Sequence, residues 1–208
     1  MIAIFGAPGA GKTVQGKMLA RKYGWEWVSS RDMLLSLRDR DVTMALNNGM
    51  YIPDEKILQT MERVFRNVKR YPGQQFILDG FPSSVAQVYW MIEHGVIDEL
   101  TGAIVLRVPR GELWRRLVER KRVDDTRAAI ERRQDLYDRA VTGMIRTLSM
   151  HNVSVRDVDG RNTPEDVLER IEEVLGEWGL IKRKQFAKNP STTSIQRSVR
   201  FIDLIDKI

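Results

Sequence analysis

Close to the N-terminus, a glycine-rich run ends in a lysine and a threonine. Residues 6–13 read Gly-Ala-Pro-Gly-Ala-Gly-Lys-Thr and match the pattern G-x-x-x-x-G-K-[S/T]. The run lies directly after an apolar segment with the character of a strand and directly before a helical pattern, which is the context that this motif requires. Glycines let backbone N–H groups turn toward phosphate oxygens, and Lys12 adds a full positive charge. The run therefore predicts a phosphate-binding loop.

A single carboxylate follows the third predicted strand of the chain. Residues 76–78 are apolar, Asp79 comes next, and residues 80–82 read Gly-Phe-Pro. An acid at the carboxyl end of a strand beside a phosphate-binding loop can hold Mg²⁺, often through water. We therefore predict a Mg²⁺ site at Asp79, with the Thr13 hydroxyl as a second group that can touch the ion. The alternative is that Asp79 caps the helix that follows.

Arginine side chains recur at short intervals in the second half of the chain. Arg116 and Arg120 are one helical turn apart, Arg122 follows, and Arg133 lies in the next predicted helix behind the pair Asp124-Asp125. Phosphoryl transfer spreads negative charge over the moving group, so guanidinium groups that converge on one site can stabilise it. Three neighbouring arginines are instead expected on solvated helix faces with i,i+4 partners: Arg115, Arg127 and Arg132.

These side chains need a scaffold, and the pattern of the chain predicts one. Short apolar runs alternate with amphipathic segments, which is typical of a parallel sheet with crossover helices. Strands are predicted near residues 2–5, 26–28, 75–78, 103–107 and 153–158. Helices are predicted near residues 11–22, 31–38, 54–70, 83–93, 110–120, 126–149 and 163–177. The expected architecture is a doubly wound α/β fold of the P-loop type, with a five-stranded parallel sheet and flanking helices.

Composition narrows the kind of protein further. The chain has 208 residues, of which 42% are hydrophobic and 30% charged, and no apolar stretch is long enough for a transmembrane helix, so a soluble globular protein is expected. The lack of cysteine and the isolation of His94 and His151 exclude a disulfide framework and predict no zinc site. Because no export signal is visible, a cytoplasmic setting is expected.

The net charge of +6 is concentrated toward the C-terminus. Residues 182–208 carry a net charge of +5, which leaves +1 for the first 181 residues. Residues 180–208 are predicted to form a basic linker and a short amphipathic tail. Because the body is nearly neutral, a nucleic-acid partner is not expected. Because no apolar stretch is long enough to span a bilayer, no membrane partner is expected. A monomer is expected.

Five short blocks of the sequence together resemble one family. They are residues 6–12, 30–34, 49–55, 78–82 and 122–125, in the order in which adenylate kinases and their nucleoside monophosphate kinase relatives carry them. The resemblance spans about residues 1–177. It implies a kinase-like domain at residues 1–179, with a helical monophosphate-binding insertion at residues 31–70 and a minimal lid at residues 120–125.

The resemblance also assigns residues to two substrates. ATP is expected against Gly9, Ala10, Gly11, Lys12, Thr13, Val14, Arg116, Arg120 and Asn162. The monophosphate is expected against Ser30, Met50, Tyr51, Ile52, Gly80, Phe81, Pro82, Gln87, Arg122 and Arg133, with Gln87 on the edge of the adenine. The groups implied to be catalytic are Lys12, Arg120, Arg122 and Arg133, working with Mg²⁺.

The chain departs from the family at positions that usually clamp the acceptor phosphate. Leu35 and Ser83 stand where family members carry arginine, and Arg31 stands where they carry glycine. A charge-assisted hydrogen bond contributes about 1.5–3 kcal/mol, so acceptor binding is expected to be weak unless another guanidinium substitutes. The candidates are Arg31, which we count among the monophosphate-binding residues, and Arg38.

The leading interpretation is an enzyme of nucleotide metabolism that transfers the γ-phosphoryl group of ATP·Mg²⁺ to AMP. A kinase for another monophosphate, such as UMP, CMP or a deoxynucleotide, would share every feature except the base pocket. A further alternative is a nucleotide-binding module without kinase activity that uses the basic tail to hold a partner or nucleic acid. In that case Leu35 and Ser83 reflect the loss of acceptor binding. Only Lys121 separates Arg120 from Arg122, so the lid is expected to be a short turn.

Overall fold

Five parallel strands form one sheet in the computed structural model, which describes residues 1–71, 73–120, 122 and 124–182. The strands are β1 (Ile2–Gly6), β2 (Glu26–Ser29), β3 (Phe76–Asp79), β4 (Gly102–Arg107) and β5 (Ser154–Asp159), in the order β2-β3-β1-β4-β5. The predicted five-stranded parallel sheet is confirmed.

Strand β1 lies at the centre of the sheet, between β3 and β4. In the register of these pairs, Ile4 lies opposite Asp79 and Gly6 lies opposite Leu106. Because the carboxyl ends of parallel strands meet at one edge of a sheet, the loop after β1 and the carboxylate at the end of β3 are neighbours. The predicted phosphate-binding loop and Asp79 therefore share one edge.

Helices cover both faces of the sheet. Within the described residues they are α1 (Lys12–Tyr23), α2 (Ser30–Ser36), α3 (Arg40–Asn48), α4 (Asp54–Arg70), α5 (Val85–Glu93), α6 (Arg110–Arg120), α7 (Arg127–Met150) and α8 (Pro164–Glu177), with a 3₁₀ turn at Ile97–Glu99. Helix α8 shows how local signals set these bounds. The Thr163 hydroxyl accepts a hydrogen bond from the Asp166 N–H at 3.2 Å, and Pro164 lies in the first turn.

Alternate residues of β1 pack into two hydrophobic layers, one on each face of the sheet. Ala3 and Phe5 belong to the layer that includes α4, α5 and α7, whereas Ile2 and Ile4 belong to the layer that includes α1, α6 and α8. Ile2, Ala3 and Ile4 have no exposed surface. A strand that is apolar on both faces is typical of a parallel sheet between two helical layers, and the doubly wound architecture is thereby confirmed.

The stretch between residues 38 and 54, for which no helix was predicted, contains α3. The Asp39 carboxylate caps this helix, because it accepts hydrogen bonds from the N–H groups of Asp41 and Val42 at 2.9 and 3.1 Å. Val42 packs with Leu34 and Ile52 in a small core that is separate from the two layers on the sheet. The segment between β2 and β3 is therefore more helical than its sequence pattern indicated.

The packed body continues slightly past the boundary predicted at residue 179. Leu180 and Ile181 pack against the layer that includes α1 and α8. The predicted tail, from residue 183 onward, lies outside the described residues. No helix in the described part of the chain combines the length and the apolar character needed to cross a membrane.

Candidate active site

The loop between β1 and α1 has the backbone geometry that its glycines permit. Gly9 has a φ of 89° and Gly11 a φ of 100°, both in the left-handed region that favours glycine. A Cβ atom on Gly9 would also come within 3.0 Å of the Leu113 carbonyl oxygen. Gly11 precedes the first turn of α1, so the positive end of this helix faces the loop. The loop therefore has the geometry to bind an anion at the sheet edge.

Lys12 folds back over this loop. Its Nζ donates hydrogen bonds to the carbonyl oxygens of Gly6 at 2.7 Å and Ala7 at 3.2 Å. Burial lowers the pKa of Lys12, the Asp79 carboxylate opposes this shift, and Arg120 and Arg133 add to it. A cation that is partly removed from water gains more from a phosphate than an exposed cation does. Lys12 is thus held next to the place where phosphates would lie.

Asp79 and Thr13 form a polar pair beside the loop. The Thr13 hydroxyl donates to Asp79 Oδ2 at 2.7 Å, and Asp79 is only 5% exposed. Asp79 does not cap the following helix, because the hydroxyl of Ser84 caps α5 by accepting the Gln87 N–H at 3.1 Å. The alternative role for Asp79 is therefore wrong.

The pair Asp79 and Thr13 suits a hard cation. Mg²⁺ prefers oxygen ligands and usually takes one or two carboxylates together with substrate phosphates and water. Among the described residues, no three His, Cys, Asp or Glu side chains are grouped closely enough to hold a metal ion by themselves. One carboxylate and one hydroxyl next to a phosphate-binding loop fit a Mg²⁺ ion that arrives with a nucleotide.

The phosphate-binding loop opens into a cavity of about 610 Å³, here called the P-loop cavity. All residues predicted for ATP line it: Gly9, Ala10, Gly11, Lys12, Thr13, Val14, Arg116, Arg120 and Asn162. Arg116 is held in place by Glu112 Oε1 at 2.7 Å and by the Arg161 carbonyl oxygen at 3.0 Å. Arg115 and then Arg116 lower the pKa of Glu112 to about 2.

A second cavity, of about 520 Å³, lies between the sheet edge and helices α2, α3, α4 and α7. Most residues predicted for the monophosphate line it or the P-loop cavity: Ser30, Arg31, Met50, Tyr51, Ile52, Gly80, Pro82, Arg122 and Arg133. The two cavities share Pro8, Lys12, Ser30, Arg31, Gly80 and Arg133. They therefore meet at three cationic side chains, Lys12, Arg31 and Arg133.

Two carboxylates organise the arginines at this junction. Asp125 accepts two hydrogen bonds from Arg120, both at 2.8 Å, and one from Arg133 at 2.7 Å. Asp124 pairs with Arg31 at 2.9 Å and with Arg133 at 3.3 Å. Burial opposes the ionisation of Asp125, but the hydrogen bonds from Arg120 and Arg133 outweigh it and lower the pKa of this carboxyl. The guanidinium groups are thus oriented before any substrate enters.

Replacing Asp125 with asparagine should destabilise the protein most near neutral pH. Because the pKa of Asp125 is lowered in the folded state, its stabilisation is present above the ordinary value of 3.8 and is lost as the pH falls below it. We expect the free energy of unfolding to fall by about 1–2 kcal/mol at pH 7 and the difference from wild type to shrink below about pH 4. Urea unfolding between pH 7 and pH 3 measures this, with exposed Asp138→Asn as the control. A difference independent of pH would contradict the ion-pair role.

Two predicted monophosphate residues do not line either cavity. Phe81 is fully buried in the layer that includes α4, α5 and α7, because its ring packs against Phe65 at a centroid distance of 5.5 Å. Gln87 is also fully buried, and its amide bonds to other protein groups rather than facing the second cavity. Tertiary packing turns both side chains away from the cavities, and their place in the monophosphate site stays a prediction.

Of the two candidate substitutes for the missing arginines, the structure brings only Arg31 to the site. Arg31 lines both cavities from the first turn of α2, so it needs no unusual backbone angle to point inward. Arg38 is exposed and lines neither cavity. Ser83 lines the second cavity, whereas Leu35 does not. A guanidinium is thus available at the junction without the two family arginines.

The arginines predicted on solvated faces behave differently from one another. Arg115 pairs with Glu112 and Glu119, and Arg127 pairs with Glu131 at 3.0 Å, as i,i+3 and i,i+4 partners. Arg132 is exposed but donates instead to the Asn48 carbonyl oxygen, at 2.7 and 2.9 Å. It therefore ties α7 to the end of α3.

Some residues that line the second cavity were missed from the sequence. They are Asp54, Ser84, Leu136, Tyr137, Arg139, Ala140 and Met144. The α7 members of this set follow Arg133 at helical spacing, so the face of α7 that carries Arg133 could have identified them. Asp54 lies in the block 49–55 that carries the family resemblance, but neither it nor the distant Ser84 was assigned to the site.

The fold and the site define the class of protein. A parallel doubly wound sheet, a G-x-x-x-x-G-K-T loop at its central strand, an acid at the end of the neighbouring strand and a ring of arginines are the parts of a P-loop nucleotide-binding enzyme. The model of one family, adenylate kinase, matches residues 4–153.

Curated relatives agree with this match. An adenylate kinase from Clavibacter michiganensis subsp. michiganensis is 32% identical over 86% of this chain and 94% of its own length. Adenylate kinases from Maricaulis maris and Thermus thermophilus are 31% and 29% identical, over 85% and 84% of this chain and over 98% and 96% of their own lengths. The chain belongs to the adenylate kinase family, and it is a phosphotransferase.

Proposed function

We propose that this enzyme transfers the γ-phosphoryl group of ATP to AMP, giving two molecules of ADP. Phosphoryl transfer between nucleotides is the reaction of the family, and the identity of the acceptor is our inference. The observation that carries it is the meeting of two cavities at Lys12, Arg31 and Arg133. Two nucleotides whose phosphates face this junction would lie with donor and acceptor groups next to each other, which is the positioning that phosphoryl transfer needs.

On the donor side, the glycine loop and the N-terminus of α1 would bind the ATP phosphates. Arg116 and Asn162 line the P-loop cavity, and the adenine would lie against them. Lys12 would exchange its hydrogen bonds to backbone carbonyls for bonds to phosphate oxygens. Mg²⁺ bound with ATP would neutralise charge on the β- and γ-phosphates, with Asp79 and Thr13 as the residues that hold it.

On the acceptor side, we infer that residues 31–70 form the monophosphate-binding insertion. The small core of Leu34, Val42 and Ile52 supports this, because it lets the insertion fold around its own contacts. Arg31 and Arg133 would bind the acceptor phosphate, and Arg120 and Arg122 would stabilise the charge of the group in transit. We assign residues 120–125 as a minimal lid, because Asp125 already holds Arg120 toward the site.

A coupled assay with ATP and a panel of monophosphates tests the proposal. We expect ADP to form at the highest kcat/KM with AMP, and at lower values with CMP, UMP, GMP and the deoxynucleotides. A higher value with another monophosphate would change the acceptor. No transfer to any of them, with ATP binding intact, would favour a nucleotide-binding module without kinase activity.

We also infer a monomer that works in the cytoplasm. The two cavities already hold the groups that the proposed transfer uses, from the phosphate-binding loop to Arg133. The absence of cysteine is compatible with a reducing compartment. Light scattering of the purified enzyme at micromolar concentration tests the oligomeric state.

The short lid leads to a prediction about water. In the family, lid closure excludes water that competes with the acceptor for the γ-phosphoryl group, and one residue between Arg120 and Arg122 leaves little chain to do this. We expect measurable ATP hydrolysis without acceptor, above the rate of Lys12→Ala. If the tail covers the site, a chain ending after Lys182 should hydrolyse ATP faster, and equal rates would mean that the tail lies elsewhere. Undetectable hydrolysis in both chains would contradict the prediction that the short lid lets water reach the γ-phosphoryl group.

A further inference from the structure

The sulfur chemistry of this chain rests on methionine. The sequence has nine methionines and no cysteine, so a peroxide meets thioethers and no thiol. Five of the methionines are buried and Met18 is half-buried, whereas three are exposed: Met44, Met50 and Met150. Because oxidation of a side chain follows its exposure, these three thioethers are the ones that a peroxide reaches first.

The three exposed methionines differ in their relation to the cavities. Met50 is 58% exposed and lines the second cavity. Met44, on α3, and Met150, at the end of α7, are 54% and 71% exposed and line neither the P-loop cavity nor the second cavity. The three thioethers are therefore similarly open to solvent, and Met50 is the one that a ligand in the second cavity could cover.

The backbone around Met50 is anchored on both sides. The Met50 N–H donates to the Ala45 carbonyl oxygen at 2.9 Å, at the end of α3. Gly49 lies so close to α7 that a Cβ atom there would come within 2.4 Å of the Ala129 carbonyl oxygen. Ile52 is buried in the small core that is separate from the two layers on the sheet. A chemical change at Met50 is therefore expected to act through its side chain rather than through movement of this segment.

Oxidation by a hydroperoxide changes the polarity of this side chain. The thioether sulfur loses two electrons and gains one oxygen atom, while the O–O bond of the peroxide breaks and water or an alcohol leaves. An exposed sulfoxide keeps its contact with water as long as the cavity is open. A ligand that covers the sulfoxide removes this water, and a polar atom left without a partner weakens binding.

The second cavity makes this loss of water consequential because apolar side chains form much of its wall. They are Leu34, Leu46, Ile52, Ile57 and Leu136, together with Met50 itself. A thioether suits such a wall, since methionine packs as a flexible apolar side chain. Its sulfoxide does not, because a polar group in apolar surroundings needs a hydrogen-bond donor.

We propose that Met50 is a site of reversible oxidation by hydroperoxides, and that its sulfoxide weakens the binding of the acceptor nucleotide. This inference rests on the proposed function, because it takes the second cavity to be the acceptor site. Methionine sulfoxide reductases reverse the step, since two thiols become a disulfide, the sulfoxide returns to the thioether and water leaves. The phosphate-binding loop is unchanged by the oxidation, so KM for the acceptor is expected to change more than kcat.

The first test follows each methionine by peptide mass spectrometry while the native enzyme is treated with hydrogen peroxide. We expect Met44, Met50 and Met150 to be oxidised before the other six. AMP at about ten times its Kd should slow the oxidation of Met50 by about tenfold and leave Met44 and Met150 unchanged. Inorganic phosphate, which lacks the nucleoside, should protect none of the three. This measurement does not require phosphoryl transfer.

The second test compares AMP binding and turnover before and after the peroxide treatment. We expect oxidised wild type to bind AMP about tenfold more weakly in a titration without ATP, with a matching rise in KM and an unchanged Tm. A methionine sulfoxide reductase should restore both constants. Met50→Leu has no sulfur at this position, so its constants after peroxide should equal those of its own untreated form. The double variant Met44→Leu/Met150→Leu is the matched control and should respond to peroxide as wild type does.

The outcomes separate this inference from the proposed function. Absence of phosphoryl transfer, together with AMP protection of Met50 and AMP binding that oxidation weakens, would overturn the kinase proposal and support the role of Met50. Unchanged AMP affinity after Met50 is oxidised, no protection by AMP, or a loss of affinity that persists in Met50→Leu would overturn the inference. Tighter AMP binding after oxidation would also overturn it and would assign the sulfoxide oxygen to a donor such as Arg139, which lines the same cavity. Untreated enzyme that binds no AMP would overturn it too, and the coupled assay with the panel of monophosphates would then identify the acceptor independently.

Discussion

The Lys12→Ala variant is expected to lose phosphoryl transfer, by about a thousandfold or more in kcat, while keeping its fold. Lys12 is the cation that lies at the junction of the two cavities and on the phosphate-binding loop at once. Without Lys12, the loop loses the positioned cation that would stabilise the bound phosphate and the negative charge that develops on the transferred group. Water in the cavity is a poor substitute for such a cation.

The fold should survive because Lys12 is not a packing residue. Its charge is partly removed from water, which costs desolvation free energy, and its two hydrogen bonds go to the carbonyl oxygens of the loop residues Gly6 and Ala7. We expect the free energy of unfolding to change by no more than about 1 kcal/mol. Arg21→Ala, which removes an exposed cation from the same helix, is the matched control for activity. Near-wild-type turnover in a purified Lys12→Ala enzyme would mean that the glycine loop does not bind the transferred phosphate.

Arg31→Ala should raise the KM for AMP by about tenfold to a hundredfold, with a smaller effect on kcat. Arg31 lies at the shared end of the two cavities, and its Nη2 is 2.9 Å from Asp124. An acceptor phosphate would bind a guanidinium that is already oriented and partly removed from water. Arg31→Ala would therefore remove a charge-assisted hydrogen bond and leave Arg133 as the other proposed guanidinium for that phosphate. Burial lowers the pKa of Arg31, in keeping with a position at the site rather than on the surface.

A second set of variants tests whether Arg31 binds the acceptor phosphate in place of the two arginines that the family carries at positions 35 and 83. Adding Leu35→Arg and Ser83→Arg to Arg31→Ala should lower the KM for AMP again by about tenfold or more, because each restores a guanidinium on the acceptor side. Arg38→Ala, on the exposed turn after α2, is the control and should leave KM unchanged. If Arg31→Ala has the KM of wild type, the acceptor phosphate binds elsewhere.

The sequence by itself determined the phosphate-binding loop and the sheet that carries it. Glycines in a fixed order permit the left-handed φ values observed at Gly9 and Gly11, and this requirement is local. The apolar residues on both faces of β1 indicate a strand covered on both sides, which is typical of a parallel sheet, and parallel pairing brings Asp79 to the same edge as the loop. Such features depend on residue types at short spacing, so they could be predicted without knowledge of distant contacts.

The insertion shows where local patterns stop being sufficient. Helix α3 depends on one cap, at Asp39, and on packing in the small core of Leu34, Val42 and Ile52. It has 9 residues, whereas α7 has 24, so its helical pattern in the sequence is much shorter. Arg31 and Arg38 were equal candidates in the sequence, two turns apart. Because α2 ends at Ser36, only Arg31 points to the site.

Only the tertiary structure decided which side chains face the second cavity. Gln87 and Asp54 are 33 residues apart in the chain, and their hydrogen bond of 2.6 Å turns the glutamine inward and leaves the carboxylate on the cavity wall. A buried polar group goes where a partner can satisfy it, since leaving it without one costs about 1–3 kcal/mol. Its direction therefore depends on which groups the packing of distant helices brings within hydrogen-bond distance, and the sequence around Gln87 does not contain that information.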